Sequence, residues 1–177
     1  MQNTELKTYD DFKNAEIIEI INPAERDRYL DFLKKSYEND IEHCKFSLIK
    51  FPRWSIISGY YAMHNISKLF LAEKYNLKIS KKWVHRATIV AMSHVIMEDA
   101  LKAKIIRLLQ EANKIYESVN PKDWNITKYL IKGRKEREKT QYYTGSAFNE
   151  QLLLRNADEL LNEIAKPYIK IISGLMK

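Results

Sequence analysis

The feature that most constrains the fold of this chain is a stretch of nineteen residues with a single charge. Between Trp54 and Ala72 the only charged side chain is Lys68. A helix that is apolar on nearly every side must be surrounded by other helices. We therefore expect residues 53–76 to form the central helix of a bundle, with residues 54–72 as its most buried part and with Tyr61 and Leu69 in the core.

Helical patterns flank this stretch on both sides. Asn22-Pro23 is a helix start signal, and apolar residues then recur every three or four positions to about residue 49. The same spacing continues over residues 82–119, where the acidic pair Glu98-Asp99 favours a division into two helices. A last amphipathic pattern starts near residue 149, and Pro167 within it is expected to kink the helix.

These patterns predict an all-α fold, an antiparallel four- to six-helix up-down bundle. Gly and Pro, at four residues each, are too scarce for the frequent turns of a β-sandwich or barrel. Residues 23–177 are expected to form the bundle, and residues 1–22 an N-terminal extension with a short apolar group around Ile17 to Ile21.

The composition indicates a cytoplasmic protein that needs no cofactor. The single cysteine, Cys44, excludes an internal disulfide and favours a reducing compartment. No apolar run approaches the roughly 18–20 residues of a membrane span, and the first residues do not resemble a signal peptide. No metal site is expected, because His85 and His94 are nine residues apart and face opposite sides of a helix, while His64 is interpreted as a satisfied core histidine.

The charge of the chain is unevenly distributed. The formal net charge is +7, with 11 acids and 8 bases in residues 1–50 and 12 acids and 22 bases in residues 51–177. Such asymmetry is typical of a basic face that attracts phosphate or an acidic partner. Lysine enrichment for solubility is the competing explanation, and the composition does not decide between the two.

The most unusual local chemistry is a basic segment followed by two tyrosines. Its candidate nucleotide- or RNA-binding residues are Lys132, Arg134, Lys135, Arg137, Lys139, Tyr142 and Tyr143. Arg134 and Arg137 lie on one helix face at i and i+3, so their guanidinium groups could hold one phosphate together, and the tyrosines could stack on bases. A solvated helix end has the same appearance, since lysine and arginine are favoured at a helix C-terminus.

Two stretches of the chain resemble the HEPN family of small helical bundles. Residues 58–72, with the sequence SGYYAMHNISKLFLA, resemble the signature second helix of that family. The segment from Arg134 to Tyr143, with the helix that follows it, resembles the family's Arg-x-x-Arg…Tyr region and last helix. The order of these elements matches the family over about residues 25–172.

The resemblance implies a homodimer that pairs with a small nucleotidyltransferase in a toxin–antitoxin system. Many members of the family are metal-independent endoribonucleases that use an arginine followed, after four to six residues, by a histidine. Arg137 matches the arginine, but Tyr142 stands where the histidine is expected. A tyrosine with a pKa near ~10 is a poor proton shuttle at neutral pH, so catalysis by Arg137 and Tyr142 is in doubt.

Three functions compete at this point. The first is a HEPN-like protein that binds a nucleotide or RNA through the basic segment. The second is a non-catalytic interaction module whose helical surface binds a protein such as a nucleotidyltransferase. The third, a ribonuclease that uses Tyr142 in place of histidine, ranks behind both because it lacks a proper base.

Overall fold

The chain folds as a set of packed helices with one very small sheet. A computed structural model describes residues 7–80, 83–119 and 145–177. For residues 145–149 it describes the backbone only. The helices are α1 Tyr9–Asn14, α2 Arg26–Ser47, α3 Pro52–Tyr75, α4 Val84–Val95, α5 Asp99–Val119, α6 Gly145–Glu159 and α7 Lys166–Met176. A 3₁₀ turn, Pro23–Glu25, precedes α2, and a π-helical segment, Leu160–Ala165, joins α6 to α7. The predicted all-α class is confirmed.

Helix α3 is the centre of the packing, as its nearly uncharged sequence predicts. Fourteen of its 24 residues are buried, against three of 22 in α2. It contacts α2, α4, α5, α6, α7 and the π-helical segment. Leu69 is buried as expected, but Tyr61 is 38% exposed, so its assignment to the core was wrong. Tyr61 lies on a face of α3 that the described helices cover only in part.

Helices α2 and α3 form an antiparallel pair that approaches closely at Gly59. The Arg26 side chain donates to the Glu73 carbonyl near one end of the pair, and Cys44 contacts Ser55 near the other. A Cβ atom on Gly59 would lie 3.0 Å from Cys44 Sγ and 3.2 Å from a methyl carbon of Leu160. The absence of a side chain at this position therefore lets α2 and the C-terminal helices pack against α3 at the same level.

Local signals set the helix boundaries. The Asn22 side chain accepts a hydrogen bond from the Ala24 backbone at 3.0 Å, and Pro52 occupies the first turn of α3. Asn76 ends α3 with a φ of 54°, a left-handed conformation that asparagine tolerates better than most residues. The chain breaks again between Val95 and Asp99, which confirms two helices over residues 84–119.

The N-terminal region differs from the expected extension. Its described part, residues 7–22, contains α1 and a strand β1, Ile18–Ile20, which pairs antiparallel with β2, Leu77–Ile79. Phe12 and Ile18 are buried in the main core together with residues of α3. This region is therefore part of the bundle, and the small sheet ties it to the end of α3.

Candidate functional site

The residues predicted to bind nucleotide or RNA lie outside the described part of the chain. These are Lys132, Arg134, Lys135, Arg137, Lys139, Tyr142 and Tyr143. They fall between Val119, the last residue of α5, and Gly145, the first of α6. Their roles remain predictions from the sequence.

Within the described residues, the most unusual chemistry is a group of five rings from three helices. We call it the His–Tyr cluster, and its members are Tyr60, Tyr61, His64, His85 and Tyr116. The rings of Tyr60 and Tyr116 stack with centroids 4.1 Å apart at 13°. His64 and His85 meet edge to face at 4.4 Å, and Tyr61 lies 5.5 Å from His85 and 6.0 Å from Tyr116. The cluster thus joins α3, α4 and α5.

Two members of the cluster belong to a row of polar residues on one face of α3. Tyr60, His64 and Lys68 are spaced by four residues, so they lie one above the other on the same helix face. His85 comes from the first turn of α4 and Tyr116 from the last turn of α5. The Tyr60 hydroxyl donates to Asn113 of α5 at 3.0 Å, which fixes the stacked pair across the two helices.

Three ring nitrogens of the cluster are buried without a hydrogen-bond partner among the described residues. They are Nδ1 and Nε2 of His64, which is 1% exposed, and Nδ1 of partly exposed His85. A buried polar atom without a partner costs about 1–3 kcal/mol. His64 is thus a core residue, as the sequence predicts, but the described residues provide no hydrogen-bond partner for either of its ring nitrogens.

The two histidines are held in their neutral form. Burial lowers the pKa of His64 well below its ordinary value, and the neighbouring His85 and Lys68 lower it further. Burial, followed by the charge of Lys68, also lowers the pKa of His85. At neutral pH each imidazole therefore offers one hydrogen-bond donor and one acceptor.

A lysine and a carboxylate stand beside the rings. Burial lowers the pKa of Lys68, while the charge of Asp40 on α2 raises it. Burial raises the pKa of Asp40, opposed by the hydrogen bond that Asn65 donates to it at 2.8 Å. The charge of each of these two groups partly offsets the effect of burial on the other.

Tyr60 and Tyr61 stay protonated at neutral pH. A hydrogen bond to Tyr116, together with burial, raises the pKa of Tyr61 to about 12. Burial raises the pKa of Tyr60 further above its ordinary value, with a smaller contribution from Tyr116. Proton transfer by these tyrosines at neutral pH is therefore strongly disfavoured, and their chemistry is that of hydrogen bonding and ring stacking.

A second polar group lies on the α2–α3 interface without joining the cluster. The ring nitrogens of His43 contact Ser58 Oγ at 2.6 Å and Ser47 Oγ at 3.2 Å. Cys44, one turn from Ser47, is fully buried, and its burial raises the pKa of the thiol. These residues satisfy one another, and a buried thiol of raised pKa is unreactive.

The arrangement is suited to binding rather than to metal or acid–base chemistry. No group of three or more histidine, cysteine, aspartate or glutamate residues in the described ranges is placed to hold a metal ion. The cluster instead combines ring faces, neutral imidazoles and one lysine. These groups match a planar polar ligand, which can stack on the rings and form hydrogen bonds at its edge.

Comparisons with protein-family models, with curated proteins and with solved structures found no match to this chain. Among the helices that the structure describes, none is both long and apolar enough to cross a membrane.

Proposed function

We propose that this chain is a HEPN-like nucleotide- or RNA-binding protein, and that it acts as a toxin–antitoxin component with a nucleotidyltransferase partner. The observation that carries the binding proposal is the His–Tyr cluster, a polar and aromatic group that includes buried ring nitrogens without a partner among the described residues. The excess of ten positive charges in residues 51–177, from 22 bases and 12 acids, supports a phosphate-containing ligand. In this proposal Arg134 and Arg137 bind phosphate and the tyrosines that follow stack or donate hydrogen bonds.

Binding should be largely electrostatic and should depend on the two arginines. We expect the Arg134→Ala, Arg137→Ala double variant to bind single-stranded RNA about 10-fold or more weakly, because each lost phosphate contact removes charge-assisted hydrogen bonds and counterion release. The slope of log Kd against log salt should become shallower. Fluorescence anisotropy with a labelled RNA at several salt concentrations measures both quantities.

Two other cations provide a matched control for this experiment. Lys104 and Arg107 have the same i, i+3 spacing and lie exposed on α5. Their double alanine variant removes the same charge from the chain but should retain most of the affinity. If both double variants lose affinity equally, the basic segment contributes only net charge and the proposed phosphate clamp is wrong.

We expect no RNA cleavage. The catalytic candidates Arg137 and Tyr142 lack the imidazole that moves the proton in the family's pattern. Incubation with labelled RNA should therefore leave it intact. Cleavage that disappears in Tyr142→Phe would establish the ribonuclease instead.

A non-catalytic interaction module is the second candidate, and an exposed apolar patch favours it. Phe46, Ile49, Phe51 and Trp54, at the turn between α2 and α3, are 78%, 80%, 54% and 57% exposed. Ile49 also lines a groove of about 250 Å³ whose other wall contains Leu154 of α6. Large apolar side chains gathered at one surface are typical of a contact with another protein.

Self-association is the simplest use of that surface, and the resemblance implies a homodimer. Light scattering at tens of micromolar should then give the mass of two 21.0 kDa chains. Ile49→Asp should shift the mass towards the monomer, because a buried unpaired carboxylate is costly, whereas the exposed Phe32 of α2 offers a control substitution to Asp. A wild-type monomer at that concentration would contradict the predicted homodimer.

A further inference from the structure

The His–Tyr cluster presents ring surfaces to solvent at one place. Tyr61 is 38% exposed, and His85 and Tyr116, both within 6.0 Å of it between ring centroids, are partly exposed. The three rings come from α3, α4 and α5, so the bundle itself holds them in position. Rigidly held aromatic side chains are the usual surface on which proteins stack an unpaired nucleobase.

Behind these rings lie polar atoms for which the described part of the chain provides no hydrogen-bond partner. Nδ1 of His85 is buried at the edge of the exposed surface, and both nitrogens of fully buried His64 lie behind it, with the two ring centroids 4.4 Å apart. His85 is the member of this pair that is partly exposed. A ligand on the rings could therefore reach the exposed edge of the His85 ring, whereas the buried Nδ1 of His85 and both nitrogens of His64 are reached only through an intervening water.

The electrostatic surroundings favour the base of a nucleotide over its phosphate. The charge of Lys68 lowers the pKa of both histidines, and the charge of Asp40 acts on Lys68 in the opposite direction to its burial. Asp40 also accepts from Asn65, so the carboxylate is fixed beside the site. A phosphate placed against Asp40 would meet a like charge, but a neutral nucleobase would not.

We infer that the exposed rings of the His–Tyr cluster bind an unpaired nucleobase, which stacks on Tyr61 and directs its polar edge to His85. This inference rests on the proposed nucleotide- or RNA-binding function and adds the class of ligand, namely single-stranded RNA or a mononucleotide. Paired bases are excluded, because a duplex buries both faces of each base within its own stack.

The test compares Tyr61→Ala with Tyr61→Phe in anisotropy titrations of a short labelled single-stranded RNA. Tyr61→Ala should weaken binding about 10-fold, since one base–aromatic stack is lost. Tyr61→Phe retains the ring and should bind within about 2-fold of the wild type. Tyr75→Ala is the matched control, because Tyr75 is 42% exposed at the far end of the same helix.

A duplex of the same RNA sequence should bind more weakly than the single strand, and the difference should vanish in Tyr61→Ala. His85→Phe, which keeps a ring but removes the nitrogens, should weaken single-strand binding while leaving the slope against salt unchanged. Far-ultraviolet circular dichroism melts of each variant confirm that it is folded.

The outcomes separate this inference from the function on which it rests. If the wild type binds neither RNA nor a mononucleotide, both fail. If the wild type binds but Tyr61→Ala and Tyr75→Ala bind equally well, the cluster is not the base site, while the proposed function stands. Equal affinity for the single strand and the duplex would also overturn the inference alone.

Discussion

Leu69→Ala should lower the free energy of unfolding by about 2–5 kcal/mol, because it removes a buried side chain from the central helix and leaves a cavity. Leu69 is 6% exposed and packs with Leu33 of α2 and Ile21 near the small sheet. Urea denaturation followed by circular dichroism measures the change, and the slope of the transition should match that of the wild type.

Tyr61→Ala provides the contrast on the same helix. Its ring is 38% exposed and its hydroxyl bonds to Tyr116, so alanine should cost clearly less than at Leu69, about 1–2 kcal/mol. The opposite order of the two variants would show that α3 does not have the burial pattern described above. If Leu69→Ala leaves the free energy of unfolding nearly unchanged, α3 is not the central helix of the bundle.

Acidification should destabilise the protein through His64. Its pKa in the folded state is lowered well below the ordinary value of 6.5, so the unfolded chain takes up a proton first as the pH falls. The stability is therefore complete above pH 6.5 and is lost below it. Between about pH 7.5 and about pH 5 the loss from this residue alone should be about 2 kcal/mol.

The surrounding groups modify this loss in known directions. The lowered pKa of His85 adds a smaller loss of the same sign. The raised pKa of Asp40 acts in the opposite direction, but mainly nearer pH 4, where carboxylates titrate. Denaturation at the two pH values measures the sum of these contributions.

Substitution of His64 measures its own contribution to the loss of stability at low pH. His64→Leu cannot take up a proton, so its stability should change by about 2 kcal/mol less than that of the wild type between the two pH values. His94 is exposed and stacks on Tyr9, so His94→Leu should leave the acid-induced loss in place. If His64→Leu keeps the full loss, the buried imidazole is not its source.

The helical core could be predicted because its signals are local. One charge in nineteen residues identified α3 as the central helix, and Asn22-Pro23 placed the start of the helical region. The periodic apolar residues of the last helix, such as Ala157, Leu161 and Ile172, are indeed buried. Period and capping depend only on neighbouring residues, so they can be read without the tertiary structure.

The small sheet could not be predicted in the same way. Strands β1 and β2 have three residues each and pair across about sixty positions of the chain. Three residues give too short an alternation to distinguish a strand from a loop. The apolar group of residues 17–21 is visible in the sequence, but its place in the core depends on pairing with the distant strand Leu77–Ile79.

The candidate site was missed because its members are far apart in the sequence. His85 and Tyr116 reach Tyr60 and His64 only when α4 and α5 pack on α3. One local signal was present: Tyr60, His64 and Lys68 form a polar row, spaced by four, on an otherwise apolar helix. Polar side chains on a buried helix need hydrogen-bonding groups opposite them. The row on α3 therefore indicates which face of this helix other polar residues must contact.

The π-helical segment Leu160–Ala165 governs how the C-terminal helices tolerate changes in length. Its widened turn, in which the Lys166 amide bonds to the Leu161 carbonyl five residues back, comes just before Pro167, which has no amide hydrogen to donate. This turn adjusts the rotational phase between α6 and α7. An i→i+5 turn contains one residue more than an i→i+4 turn, so deleting one residue here should restore regular helix geometry and keep Tyr168 and Ile172 on the buried face. A deletion between Tyr168 and Ile172 should instead rotate Ile172 by about 100° away from the core. The segment is thus the position at which the C-terminal helices can lose a residue without losing their common buried face.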